Sequence, residues 1–113
     1  MAIAPGTYDM TIQRRSDHSV SVTLKDSSNA AVNLTGYTLA SQVWNTERTT
    51  KAADATCTVT SASGGAFDWK LTDTQTALLT LDEYKYDVLL TNPSGLKEYW
   101  IEGTIYMDQG YTA

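Results

Sequence analysis

The chain reads as an all-β protein, an antiparallel sandwich or barrel, and three observations lead there. Apolar residues recur with a period of two rather than about 3.6, most cleanly at Tyr84, Tyr86, Val88 and Leu90. Threonine and tyrosine, which suit pleated surfaces, are abundant. Turn-forming clusters then divide the chain into segments of about 8 to 12 residues.

Taken in order, Tyr8, Met10 and Ile12 alternate with Asp9, Thr11 and Gln13 in a first strand. Val20, Val22 and Leu24 form the inner face of a second, which ends near Lys25 because Asp26-Ser27-Ser28-Asn29 bonds its own backbone. Asn33 to Tyr37 is a short extended piece with a turn at Gly36. A third strand over Tyr37 to Trp44 places Leu39, Ser41 and Val43 on one face and Ala40, Gln42 and Trp44 on the other. Asn45 to Asp54 is polar and weakly patterned, so a surface loop is expected. A fourth strand carries Cys57 and Val59, and Ser63-Gly64-Gly65 turns it into a fifth with Phe67, Trp69 and Leu71. Thr72 or Asp73 is the N-cap of a short helical turn near 73–80, with Ala77 and Leu78 facing inward. Asp82 to Asn92 is the strongest strand. Asn92-Pro93-Ser94-Gly95 returns it into a partner over Lys97 to Asp108.

With about seven strands, the series suits a sandwich of immunoglobulin type. One local feature favours it: Asp82 stands four residues before Tyr86, which stands two before Val88. That is the spacing of a tyrosine corner, with Asp82 and Tyr86 as the structural corner and Val88 where antibody domains hold a cysteine. At 113 residues and 42% hydrophobic content, the chain is one domain over 1–113. A chain this size removes roughly 65% of its extended surface from water and needs no metal or disulfide to fold. Its lone Cys57 and lone His18 also exclude the usual zinc patterns.

Apolar runs fall far short of the roughly 20 residues that cross a bilayer, and no membrane partner is expected. The amino terminus lacks a basic segment followed by an apolar stretch, so the chain is expected to be made in the cytosol and to leave it only inside something larger. A net charge of -5 argues against nucleic acid as a partner, since that surface needs clustered Lys and Arg.

A search for chemistry returns little. His18 beside Asp17 reads as a surface histidine pairing with its neighbour, and Cys57 as a small buried hydrophobe without the cation a reactive thiolate needs. Asp82 and Glu83 point to opposite faces of a strand and do not converge. Asp26 to Asn29 lacks the glycine and distal glutamate of a calcium loop. No phosphate loop, nucleophile elbow or Cys-x-x-Cys is present. The chain reads as a non-enzyme with no cofactor and no metal.

The aromatics say more. Strict alternation over Lys97 to Asp108 puts Tyr99, Ile101, Ile105 and Met107 inward and leaves Trp100, Glu102, Thr104 and Tyr106 outward, joined by Leu89. Contiguous exposed apolar area with aromatic anchors marks an interface. Trp100, Tyr106 and Leu89 are its expected centre, Trp44 a further candidate at the sandwich edge, and Arg14 and Arg15 its rim. The same aromatics suit a sugar-binding face, which makes a glycan the alternative partner.

Several pieces also resemble a known group in their order: Tyr8-Asp9-Met10-Thr11-Ile12, Lys25-Asp26-Ser27, Asn33-Leu34-Thr35-Gly36-Tyr37-Thr38, Gln42-Val43, Leu71-Thr72-Asp73, Tyr86-Asp87-Val88, Asn92-Pro93-Ser94-Gly95 and Glu102-Gly103. The series resembles small tailed-bacteriophage virion proteins similar to the amino-terminal domain of phage upper baseplate proteins. The resemblance implies an immunoglobulin-like β-sandwich that docks on a tail, baseplate or neck and links it to a receptor-binding fibre. Its implied partners are other virion proteins in a multi-copy or homo-oligomeric assembly, and its location is the virion. It implies no catalytic residue. With no fibre-like extension after the domain, a free-standing tail or adaptor component is expected, with a capsid decoration protein as the alternative.

Overall fold

The computed structural model describes residues 6–26 and 28–110. Ser27 of the expected Asp26–Asn29 turn and both ends of the 1–113 span lie outside the described residues. The strands are β1 (Gly6–Thr7), β2 (Met10–Gln13), β3 (His18–Thr23), β4 (Thr38–Asn45), β5 (Lys51–Ser61), β6 (Ala66–Leu71), β7 (Glu83–Thr91) and β8 (Lys97–Asp108), with one helix, α1 (Asp73–Ala77), between β6 and β7. Neighbours run in the order β1-β8-β7-β4-β5-β6-β3, and β2 also pairs with β8.

Two layers come from one long strand. Lys51 to Ala55 of β5 pair with β4, whereas Thr56 to Ser61 pair with β6, so β5 passes from one sheet to the other. One sheet is therefore β1 and β2 beside β8, β7, β4 and the start of β5. The other is the end of β5, then β6 and β3. A leading segment parallel to the last strand, a three-stranded second sheet and a helical turn at the crossover back are the immunoglobulin-like layout. The fold is all-β and immunoglobulin-like.

Inward positions of the strands meet in one core. Phe67, Trp69 and Leu71 from β6 face Val43, Tyr84, Tyr86, Val88, Leu90, Ile101 and Ile105, with Ile12 of β2 closing one side. Trp69 is 1% exposed, and burying an indole of this size contributes on the order of 5 kcal/mol of gross transfer free energy. Its ring lies 5.4 Å from that of Tyr86, and its Nε1–H donates to Ser41 Oγ at 2.8 Å. Packing and a hydrogen bond thus replace the inter-sheet disulfide. The Ser63–Gly65 turn forms as expected: Gly65 takes φ +69°, and a Cβ there would meet the carbonyls of Leu24 and Val32 at 2.7 and 2.8 Å.

Four expectations are corrected. Only Thr46 to Thr50 form the turn after β4, because Asn45 Oδ1 accepts from the Thr49 and Thr50 amides, and Lys51 already enters the ladder with Trp44. The helix turns Thr76 and Leu79 inward rather than Ala77 and Leu78, and Leu78 is 60% exposed. A capping box between Thr72 and Gln75 sets that phase, and Thr76 Oγ1 is then bonded to the Ser16 backbone at both N–H and carbonyl.

The corner tyrosine is Tyr84, not Tyr86. Tyr84 Oη accepts from the Leu81 amide at 2.9 Å, while Tyr86 donates to the carbonyl of Tyr8 on the opposite edge and the Asp82 side chain stays exposed. The two tyrosines share the inward phase, and the short connection after α1 brings the first of them to the corner. Finally, the pairing of β7 with β8 slips between Val88 and Leu89: Val88 faces Ile101 but Leu89 faces Tyr99. Trp100 is the extra residue of a bulge. It packs half-buried against the core, and Tyr99 becomes the outward residue, 51% exposed.

Candidate functional site

The outer face of the sheet that contains β8, β7 and β4 is built by the residues between the core positions. Cross-strand register sets them in rows. Gln42 lies opposite Asp87, Asp87 opposite Glu102, and Glu102 opposite Thr7. In the next row Trp44 lies opposite Lys85, and Lys85 opposite Thr104. With the turn after β4 these rows enclose a groove of about 550 Å³ whose lining includes Trp44, Arg48, Asp87, Tyr99 and Glu102. The volume lies within the ~300–1,000 Å³ typical of ligand clefts.

Each wall is fixed locally. Trp44 Nε1–H donates to Gln42 Oε1 at 2.9 Å, and the Arg48 guanidinium sits 5.2 Å from the ring centroid, so the indole is held from one edge and one face. Arg48 adopts φ 56° to reach it. Lys85 Nζ donates to Thr104 Oγ1, and the Thr104 amide donates to Asp9 Oδ1 at 2.8 Å. Thr104, expected outside, does point outward but is 7% exposed because these two side chains cover it.

Burial raises the Asp87 carboxyl above the ordinary range, Arg48 pulls it back, and Glu102 raises it further. Like charges directly opposite on adjacent strands destabilise a sheet. Asp87 and Glu102 stand in that relation.

The interface residues expected from sequence are only partly brought together. Trp44 lines the groove, and half-buried Leu89 lies opposite Tyr99 at the groove's end. Tyr106 is exposed as expected but belongs to a further row, opposite Glu83 and Thr11. Trp100 faces away into a smaller cleft of about 300 Å³ with Tyr37, Leu96 and Glu98. Arg14 and Arg15 both reach back to carbonyls of their own chain. Arg14 Nε donates to the Ala77 carbonyl at 2.9 Å, and Arg15 donates to the Gln109 carbonyl at 2.7 Å; both are half-buried braces of their own chain.

Reactive groups are quieted by their surroundings. His18 does not pair with Asp17, whose carboxylate instead accepts from the Asp73 amide. The imidazole lies edge-on to Trp69, 6.2 Å between centroids, and burial lowers its pKa. Burial pushes the Cys57 thiol up to about 11, so it stays a thiol at neutral pH.

Sequence reading missed Gln42, Arg48, Asp87, Tyr99 and Glu102 as a group. Alternation already placed Gln42, Asp87 and Glu102 outward. Their assembly into one row depends on strand register, and Tyr99 joins only because of the bulge.

No family model matches the chain, and no curated protein matches it. Among solved structures, the crystal structure of the Lin-41 filamin domain is similar, with TM-score 0.48 and 12% identity over 88% of this chain and 84% of that one.

Proposed function

We propose that this chain is a non-enzymatic structural protein of a tailed-phage virion, a tail, baseplate or neck component present in many copies that docks on neighbouring subunits. Two lines support the reading. The ordered sequence series resembles such proteins, and the fold it implies is the fold found. The quieted states of His18 and Cys57 fit a protein whose work is contact rather than catalysis.

The observation that carries the docking role is the exposure of three large apolar side chains on and near the connection from α1 to β7. Leu78 is 60% exposed, Leu81 51% and Tyr106 45%. Leu78 and Leu81 lie on the connection between α1 and β7, and Tyr106 lies opposite Glu83, two residues after Leu81. Apolar anchors exposed at one end suit burial against a neighbour, in interfaces that commonly bury about 1,600 Å² in total.

The test is a folded Leu78→Ser, Leu81→Ser, Tyr106→Ser variant supplied during particle assembly, with copies per purified particle quantified by mass spectrometry. Occupancy is expected to fall about tenfold, the equivalent of ~1.4 kcal/mol of lost affinity. Undiminished occupancy would remove the docking end from consideration. Immunogold label at the tail supports the tail reading, label over the head would replace it with capsid decoration, and particles without label would overturn the virion reading.

A further inference from the structure

The groove on the outer face of β4, β7 and β8 adjoins the docking end, its Lys85–Thr104 row standing next to the Glu83–Tyr106 row, and its composition restricts what can fill it. Acceptors and donors are interleaved: the carboxylates of Asp87 and Glu102 and the amide of Gln42 share the space with Arg48 and Lys85. A cationic partner would meet Arg48 and Lys85, and an anionic one the carboxylates. A ligand without net charge that both donates and accepts hydrogen bonds satisfies every group. A peptide strand would seek the free backbone groups of a sheet edge, and the face of a sheet has none to offer.

Two aromatic side chains bound the groove. Trp44 lies opposite Lys85, and Tyr99 opposite Leu89 two strands away. Ordinary sheet spacing sets their bases roughly 16 Å apart, the span of a short oligosaccharide rather than of a single ring. Stacking on the apolar C–H face of a sugar suits both rings. Trp44 is pre-oriented by Gln42 and Arg48, which lowers the ordering cost of binding.

Between the aromatics stands the Asp87–Glu102 pair. Two carboxylates face each other across the ladder, an arrangement that weakens a sheet and that Arg48 offsets at Asp87. Vicinal hydroxyls donating to the pair would satisfy both groups. The geometry points to a binding site for a neutral oligosaccharide, stacked on Trp44 and Tyr99 and hydrogen-bonded through Gln42, Asp87 and Glu102.

The experiment is a glycan array of neutral and acidic oligosaccharides probed with the whole chain, followed by titration of the best neutral hit read by tryptophan fluorescence. Tyr99→Ala and Asp87→Asn are each expected to weaken that hit by about tenfold or more, while Val59→Ser, at an exposed position of the other sheet, leaves it unchanged. Asp87→Asn also removes a carboxylate that burial and Glu102 together disfavour by more than Arg48 returns, so its melting temperature is expected to equal or exceed that of the parent, which separates lost binding from lost folding. An array without any hit, hits confined to acidic glycans, or a neutral hit whose affinity survives both groove substitutions would overturn the site. Particle occupancy of the Leu78, Leu81 and Tyr106 variant reads the docking end alone, so either proposal can fail without the other.

Discussion

At the residue scale, Ser41 shows how few polar atoms hold the two sheets in place. It is 4% exposed, donates its hydroxyl to the Asp87 carbonyl and accepts from Trp69 Nε1. The hydroxyl therefore satisfies one group from each sheet. Ser41→Ala leaves the buried Trp69 Nε1–H without its acceptor and is expected to cost about 1–3 kcal/mol, read as a lower urea midpoint with an unchanged slope. His18 gives a pH-dependent counterpart. Among the described residues its buried Nε2 has no hydrogen-bond partner, and burial lowers its pKa below 6.5. As the pH falls through 6.5, the unfolded chain takes up this proton before the folded one, so stability is lost from there down to the lowered folded value. His18→Phe keeps an aromatic edge toward Trp69 and removes the proton. Its melting temperature is expected to fall less than the parent's between neutral pH and about pH 5; parallel curves for the two proteins would show that His18 is not responsible.

At the scale of elements, the leading segment depends on one glycine. β1 and β2 run parallel to β8 but break at Tyr8 and Asp9, where the Tyr8 amide donates to the Glu102 carbonyl and its own carbonyl accepts from Tyr86. The chain passes so close over Gly103 that a Cβ there would lie 2.0 Å from the Tyr8 oxygen. Gly103→Ala must therefore push the leading segment off β8, for an expected loss of about 3 kcal/mol, with faster amide exchange at Tyr8 and Ile12 than at Val88 as the local signature. Strand phase was legible here because inward positions repeat every second residue, and Met10, Ile12, Tyr84, Val88 and Leu90 all reach the core as read. What escaped was pairing. No glycine or proline marks the bulge at Trp100, which exists only in the match of Leu89 to Tyr99, and it exchanged the faces of Tyr99 and Trp100. Lys51 to Asp54 escaped for a related reason, since their ladder with β4 outweighs a composition that favours a loop. The groove was half visible for the same causes: its polar residues lay in the alternation, and its aromatic end lay in the register.

At the scale of the whole molecule, the question is whether two sheets make one cooperative unit. Three features tie them. β5 belongs to both sheets without a break, the Trp69–Ser41 bond crosses between them, and the core joins Ile12 and Ile105 of one sheet to Phe67 and Leu71 of the other. The ties are also distant in sequence, as in the Trp69–Ser41 bond, 28 positions apart, so no short segment can hold its fold alone. Reporters sit on both sides: Trp69 in the three-stranded sheet, Trp44 and Trp100 in the other. Urea unfolding followed by tryptophan fluorescence is accordingly expected to coincide with unfolding followed by far-ultraviolet circular dichroism, in a single transition. Ala55→Pro sharpens the test, because Ala55 pairs with Ser41 at the point where β5 leaves β4 and proline is poorly accommodated within a ladder. In a single unit its damage reaches both sheets, and both probes shift to the same lower midpoint. If instead the two signals separate, with one sheet melting before the other, β5 is a hinge between two independently stable layers and the molecule is not one folding unit.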